Sequence, residues 1–94
     1  MLGGFSQGRD LSEEEVQMVH QLRDQIEQSA QTSFEHFIPL RITSQVVAGT
    51  NYMVKIQVSN DKCVHAKIFK PLPYTNKAPE LTDLQLDLTI ESDF

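Results

Sequence analysis

Cys63 and His65 are the first residues to ask chemistry of. They stand two apart, the spacing that places side chains on one face of a strand. A thiol beside an imidazole could serve as nucleophile and base, or as two ligands of a metal. Neither arrangement works with two groups alone, and no third orienting group or further ligand accompanies them. The plainer reading is a half-exposed thiol beside a solvated histidine, with an intermolecular disulfide open to the thiol on oxidation. Glu13, Glu14 and Glu15 could attract a cation, but carboxylates at a helix start are better explained as complements of the helix dipole. The sequence holds no phosphate loop, no triad and no paired-carboxylate geometry. An enzyme, a cofactor and a metal site are therefore not expected.

The elements that would position any site can be read from periodicity. Ser12-Glu13-Glu14-Glu15 fits a capping box, with Ser12 as N-cap and Glu15 at the third helical position. Val16, Val19, Leu22 and Ile26 follow at helical spacing, and Ala30 can continue the stripe. This predicts one amphipathic helix from 12 to about 31, about 28 Å long at 1.5 Å per residue. His20 falls off the stripe, at the surface.

After Ser33 the period changes to two. Leu40, Ile42 and Val46 share one strand face, with Ser44 as its polar exception. Tyr52, Val54, Ile56 and Val58 form a second run, Val64, Ala66 and Ile68 a third, and Leu84, Leu86, Leu88 and Ile90 a fourth. Each run alternates with mostly polar residues, the pattern of a sheet covered on one side. Ala48-Gly49 and Asn60-Asp61 are hairpin turn chemistry, and residues 72 to 80 form a longer Pro-bearing loop. The predicted fold is α+β: one long N-terminal helix packed across a four- to five-stranded antiparallel sheet.

Length and composition agree. Ninety-four residues support a single domain, 1 to 94, with residues 1 to 10 as a flexible Gly-rich arm. An apolar fraction of 39% spread in patterned segments argues against disorder. A net charge of -5 disfavours a nucleic-acid surface and leaves no polybasic membrane patch. One cysteine allows no internal disulfide, and no run is long enough for a signal peptide or a membrane span. A soluble cytoplasmic protein is expected.

In a meander, alternate hairpins point the same way, so the 48–49 and 72–80 loops share one end of the sheet. The helix runs back along the first strand and returns the N-terminal arm to that end. Three segments then converge: Met1, Leu2, Gly3 and Gly4; Gln45, Val46, Val47, Ala48 and Gly49; Leu72, Pro73 and Tyr74. All are uncharged, and together they form a narrow apolar edge. An exposed apolar edge usually marks a binding site. A convex one suits insertion into a partner's groove and does not suit holding a small molecule.

Gly3 in a short arm, the run Gln45 to Gly49, and Leu72-Pro73 followed by an aromatic resemble the cystatins. The stretches SQVVAGTNYMVKI (44 to 56) and VHAKIFKPLP (64 to 73) look like the stefins, the intracellular type 1 cystatins. The resemblance runs from Gly3 to about Thr82. It implies a protein inhibitor of papain-like cysteine proteases, such as papain or cathepsins of the L, B, H and S type, acting reversibly and competitively. By that likeness Gly3 lets the arm bend, and Met1 and Leu2 occupy unprimed subsites. Gln45 to Gly49 lie near the catalytic cysteine, and Leu72, Pro73 and Tyr74 lie on the primed side. Two departures stand out: only Met1 and Leu2 precede Gly3, and the ending LQLDLTIESDF is short and lacks the tyrosine often found in the last strand.

The resemblance implies a monomer, with a domain-swapped dimer hinged at Val47-Ala48-Gly49 as a rival state. A non-inhibitory binding module of the same fold is a further alternative. Gly49→Trp is expected to weaken protease binding with thermal stability nearly unchanged.

Overall fold

The computed structural model describes residues 8–94. The helical segment begins as its capping residues dictate. The Glu15 backbone N–H donates to Ser12 Oγ (3.2 Å), and the Ser12 N–H donates to Glu15 Oε1 (2.9 Å). Helix α1 runs from Glu13 to Gln21 and α2 from Arg23 to Ala30. The expected single helix is thus interrupted at Leu22, which leaves the helical region (φ -93°, ψ 3°). The apolar spacing explains the break. Val16, Val19 and Leu22 follow one another at steps of three, which at 3.6 residues per turn would drift off one face. A local turn of about three residues, closed by the Leu22 N–H on Val19 O (3.1 Å), keeps both side chains on the sheet. The ladder resumes with the Ile26 N–H on Leu22 O (3.0 Å).

The sheet has strands β1 (Ile38–Val47), β2 (Gly49–Gln57), β3 (Cys63–Lys70) and β4 (Glu80–Leu88). They lie in the order β1-β2-β3-β4, and each neighbouring pair is antiparallel. Val19, Leu22 and Ile26 pack with Ile42, Val54, Ile56, Val64, Ala66 and Ile68 in one core. The inward faces of the first three strands therefore match the alternation in the sequence over their middle parts. Val46, expected on the inner face, lies near the end of β1 and is 82% exposed.

The last strand departs further. It starts at Glu80, and the residues that pack on the core are Leu81 and Leu84, while Leu86 and Ile90 are exposed. The β3–β4 register shifts twice, between Cys63 and His65 and between Lys67 and Ile68, and Asp87 takes a positive φ of 59°. Each irregularity resets which side of the strand faces inward, so a strict alternation through Ile90 cannot hold.

The outer face of the sheet is not open either. The Phe94 ring lies 4.8 Å from the His65 ring, and the Lys55 Nζ lies 5.6 Å from the Phe94 centroid and donates to Ile90 O. His65 is 1% exposed and Cys63 is fully buried. The half-exposed thiol and solvated histidine expected from the sequence are corrected accordingly. Burial pushes the Cys63 thiol up, away from the reactive thiolate. No group of metal-binding side chains joins the pair among the described residues.

Burial also pushes the His65 imidazole below its ordinary 6.5. The Lys55 charge acts the same way, and a weaker polar contact with Gln85, its cross-strand partner, opposes them. The unfolded chain therefore takes up a proton at His65 that the folded chain resists. Stability from this residue is full above 6.5 and falls as the pH drops below it, by up to about 1.4 kcal/mol per pH unit. Glu15, held down to about 2 chiefly by the Arg9 guanidinium, loses its own contribution only below 4.5. Between pH 6.5 and 4.5, urea unfolding of His65→Leu should show a flatter pH dependence than the wild type. Parallel curves would remove His65 as the cause.

Candidate functional site

The strand pairing fixes where each loop lies. Val47 pairs with Gly49 across the apex residue Ala48, and Thr50 pairs in turn with Lys70. The β1–β2 turn and the segment after Lys70 are therefore at one end of the sheet. The Gln57–Cys63 pairing puts the Asn60-Asp61 turn at the other. Near β1, the chain forms an isolated antiparallel bridge between Arg9 and Ile42. At Gly8 and Arg9 it thus runs from the loop end toward the Ile38 end. Met1, Leu2, Gly3 and Gly4 lie outside the described residues.

At the first loop Val46 is 82% exposed, Val47 and Ala48 are exposed, and Gln45 is half-buried. Gly49 is buried and adopts φ +127°, a conformation that side chains rarely take. A Cβ there would lie 2.7 Å from Lys70 O and 2.8 Å from the Phe69 ring. The glycine is required twice, once for its backbone angle and once because β3 passes directly beneath it. Phe69 is the residue that sequence reasoning missed. Its place opposite the inward Ile68 in the β3 alternation was the available signal.

The second loop is closed locally. Pro73 opens a single 3-10 turn, Pro73–Thr75, for which its fixed φ is suited. Leu72 O accepts from the Thr75 N–H (3.0 Å) and from Thr75 Oγ1 (2.7 Å), and the Asn76 N–H donates to Pro73 O (3.2 Å). Leu72 is half-buried, Pro73 is exposed and Tyr74 is 81% exposed. No charged side chain occurs from Ser44 to Val54 or from Pro71 to Asn76. The larger hollows of the surface are lined elsewhere, one of them by Ala30, Phe34, Val58 and Leu86 near the opposite end. What the two loops present is a projecting uncharged edge.

That edge, on a helix-backed antiparallel meander, has its counterpart among known proteins: a family model described as cystatin domain matches residues 3–91. This chain belongs to the cystatin family. It is 40% identical over 84 residues to stefin-C of Bos taurus, covering 89% of this chain and 83% of the relative. It is 38% identical over 89 residues to cystatin-A1 of Sus scrofa (95% and 86% covered), and 35% identical over 85 residues to cystatin-B of Mus musculus (90% and 87% covered). These relatives identify the chain as a stefin-type cystatin. Cystatins are inhibitors of cysteine proteases and not enzymes, which fits a chain whose Cys63 and His65 are sealed.

Gly49 overturns one sequence-based expectation, that Gly49→Trp would leave stability nearly unchanged. Even Gly49→Ala should destabilise the fold by about 2 kcal/mol in urea unfolding, because the strained φ and the contact with Lys70 O both count against a side chain. Val46→Ser, at an exposed site, should shift stability by less than about 0.5 kcal/mol. Equal effects of the two would show that Gly49 is not held against β3.

Proposed function

We propose that this protein is a reversible, competitive inhibitor of papain-like cysteine proteases of the cathepsin type, acting in the cytoplasm as a monomer. It enters the active-site cleft edge-first. Met1 to Gly4 take the unprimed side, Gln45 to Gly49 cover the catalytic cysteine, and Leu72 to Tyr74 take the primed side. The observation that carries this reading is the shared end of the sheet at which Val46 and Tyr74 stand exposed on two uncharged loops. Family membership supports it.

The physics of the edge suits the task. The second loop is closed by its own hydrogen bonds, and the first by the Val47–Gly49 pairing and by Gly49 lying against Phe69, so little backbone entropy is lost on binding. Ala48 and Gly49 keep the apex slim, so backbone can approach the enzyme closely. A protein that fills the cleft without presenting a peptide bond in an attackable geometry blocks substrate and is not cut. A tyrosine at the tip of the second loop is the residue type that anchors interfaces most often.

Titration of papain and a cathepsin L-type enzyme against a fluorogenic peptide tests the reading. Tight, reversible, competitive inhibition without cleavage is expected. No inhibition at micromolar concentration by a folded monomer would overturn it and leave a non-inhibitory module. A stable inactive dimer would point to hairpin exchange. Val46→Asp should weaken inhibition by at least about tenfold, since a buried unpaired carboxylate is costly, while the melting temperature moves by no more than about 2 °C.

A further inference from the structure

Gly8, Arg9 and Asp10, just ahead of the helix cap, are tied down more heavily than a lead-in to a helix needs. The Arg9 N–H donates to Ile42 O (2.8 Å), and the Ile42 N–H donates to Arg9 O (2.9 Å). The Arg9 guanidinium makes two bonds of 2.7 Å to the Glu15 carboxylate, the fork-on-fork geometry that only arginine provides. From β1, Arg41 reaches out to the same segment, donating to Gly8 O (2.7 Å) and to Asp10 Oδ1 (2.9 Å). On its other side Gly8 lies against Phe94, where a Cβ would come within 2.8 Å of the ring. Helix, edge strand and C-terminal segment thus all grip residues 8 to 10.

We infer that Arg9, Glu15 and Arg41 form a clasp that anchors the root of the N-terminal arm and sets its reach to the inhibitory edge. The inference rests on the reading of Met1 to Gly4 as a binding element. Chain lengths give it force. In the antiparallel register of the Arg9–Ile42 bridge, Gly8 falls opposite Thr43. From Thr43 to Val47, the last residue before the apex, β1 covers about 14 Å. From Gly8 back to Gly3 are five residues, which span at most about 17 Å. Five residues of chain are therefore about the length needed to cover the distance from the level of Gly8 to the first loop. Rooted instead at the helix cap Ser12, the tether would have nine residues. Its effective concentration at the cleft would fall by about twofold from length alone, and by more once the direction set by the bridge is gone.

Each of these residues is a positioning residue, acting on the protease through the arm. The Arg41–Asp10 pair is exposed on both sides, so its removal should cost the fold little, whereas losing Arg9 leaves the largely covered Glu15 carboxylate without its fork, so urea unfolding of each variant is measured alongside. Glu15 is left intact in the test because it also completes the helix cap.

The test is a cycle of four proteins: the wild type, Arg9→Met with Arg41→Met, the chain lacking residues 1–4, and the combination. Inhibition constants and dissociation rates are measured for each on one papain-like protease. Native-state hydrogen exchange at Arg9 and Ile42 reports the clasp directly. In the full chain, loosening the clasp should speed exchange at both amides and raise the inhibition constant about fivefold, mostly through faster dissociation. In the truncated chain the same substitutions should change it less than about 1.5-fold.

An equal loss with and without the arm would overturn the inference and make the clasp a general support of the edge. No loss in the full chain, despite faster exchange, would also overturn it. If truncation alone leaves wild-type inhibition unchanged, the arm is not a binding element and the inference falls with that reading. If the wild type does not inhibit at all, the proposed function itself has failed, a result distinct from the others.

Discussion

The helix can cover only the middle of the sheet, and most of what the molecule presents to its surroundings depends on that. Val19, Leu22 and Ile26 lie on Ile42, Val54, Ile56, Ala66 and Ile68, and each fully buried aliphatic contributes about 1.5–3 kcal/mol. The strands run on past this seam. Val46, Val47 and Ala48 project beyond it, as do Pro73 and Tyr74, and among the described residues they stay exposed. The fold is thus stabilised in one place and leaves its exposed apolar residues in another. The exception is Gly49, which belongs to both. It starts the strand that carries Tyr52, Val54 and Ile56 inward, and it lets the hairpin apex sit directly on Phe69. Substitution at the edge is structurally cheap at Val46 and expensive three residues later.

Much of this was legible because the governing interactions are local or periodic. The capping box of Ser12 and Glu15, the alternation of Tyr52, Val54 and Ile56, and the turn at Ala48-Gly49 are each encoded by residues a few positions apart. The two loops could be assigned to one end of the sheet because a meander leaves little choice. What escaped was long-range. The covering of His65 by Phe94 and of Lys55 by the Ile90 carbonyl comes from the C-terminal segment returning over the outer face, and no alternation pattern carries that information. The last strand was misread because its register shifts and the positive φ of Asp87 break the period on which the reading relied. The interruption at Leu22 was present in the steps of three from Val16 to Leu22, a signal too small to prompt a break without a proline or glycine.

Electrostatics divides the labour in a similar way. The two loops at the exposed edge are uncharged, and the ionised groups near them are put to structural use. Glu15 holds Arg9 and closes the helix cap with a single carboxylate, which is why its pKa falls to about 2. Arg41, on the outer edge of β1, is spent on Gly8 and Asp10. Lys55, a residue whose charge ought to seek water, lies under Phe94 with a backbone carbonyl for its ammonium. His65 beside it makes no hydrogen bond from either ring nitrogen, and its burial disfavours the charged imidazolium.

The strand order has a consequence for how the chain finds its shape. Because β1, β2, β3 and β4 neighbour one another in the order in which they occur, no strand has to wait for a distant one before it can pair. Pairing neighbours in sequence keeps the loop that each pairing must close short. The β1–β2 hairpin, whose apex carries Val47, Ala48 and Gly49, can close before any later strand is in place. The helix that precedes it needs only that hairpin to begin burying Val19 and Ile26 on Ile42, Val54 and Ile56. The hairpin that carries the exposed apex is thus also one that can close early in folding. A sequence change at that apex would therefore act on folding rate as well as on the shape of the exposed edge.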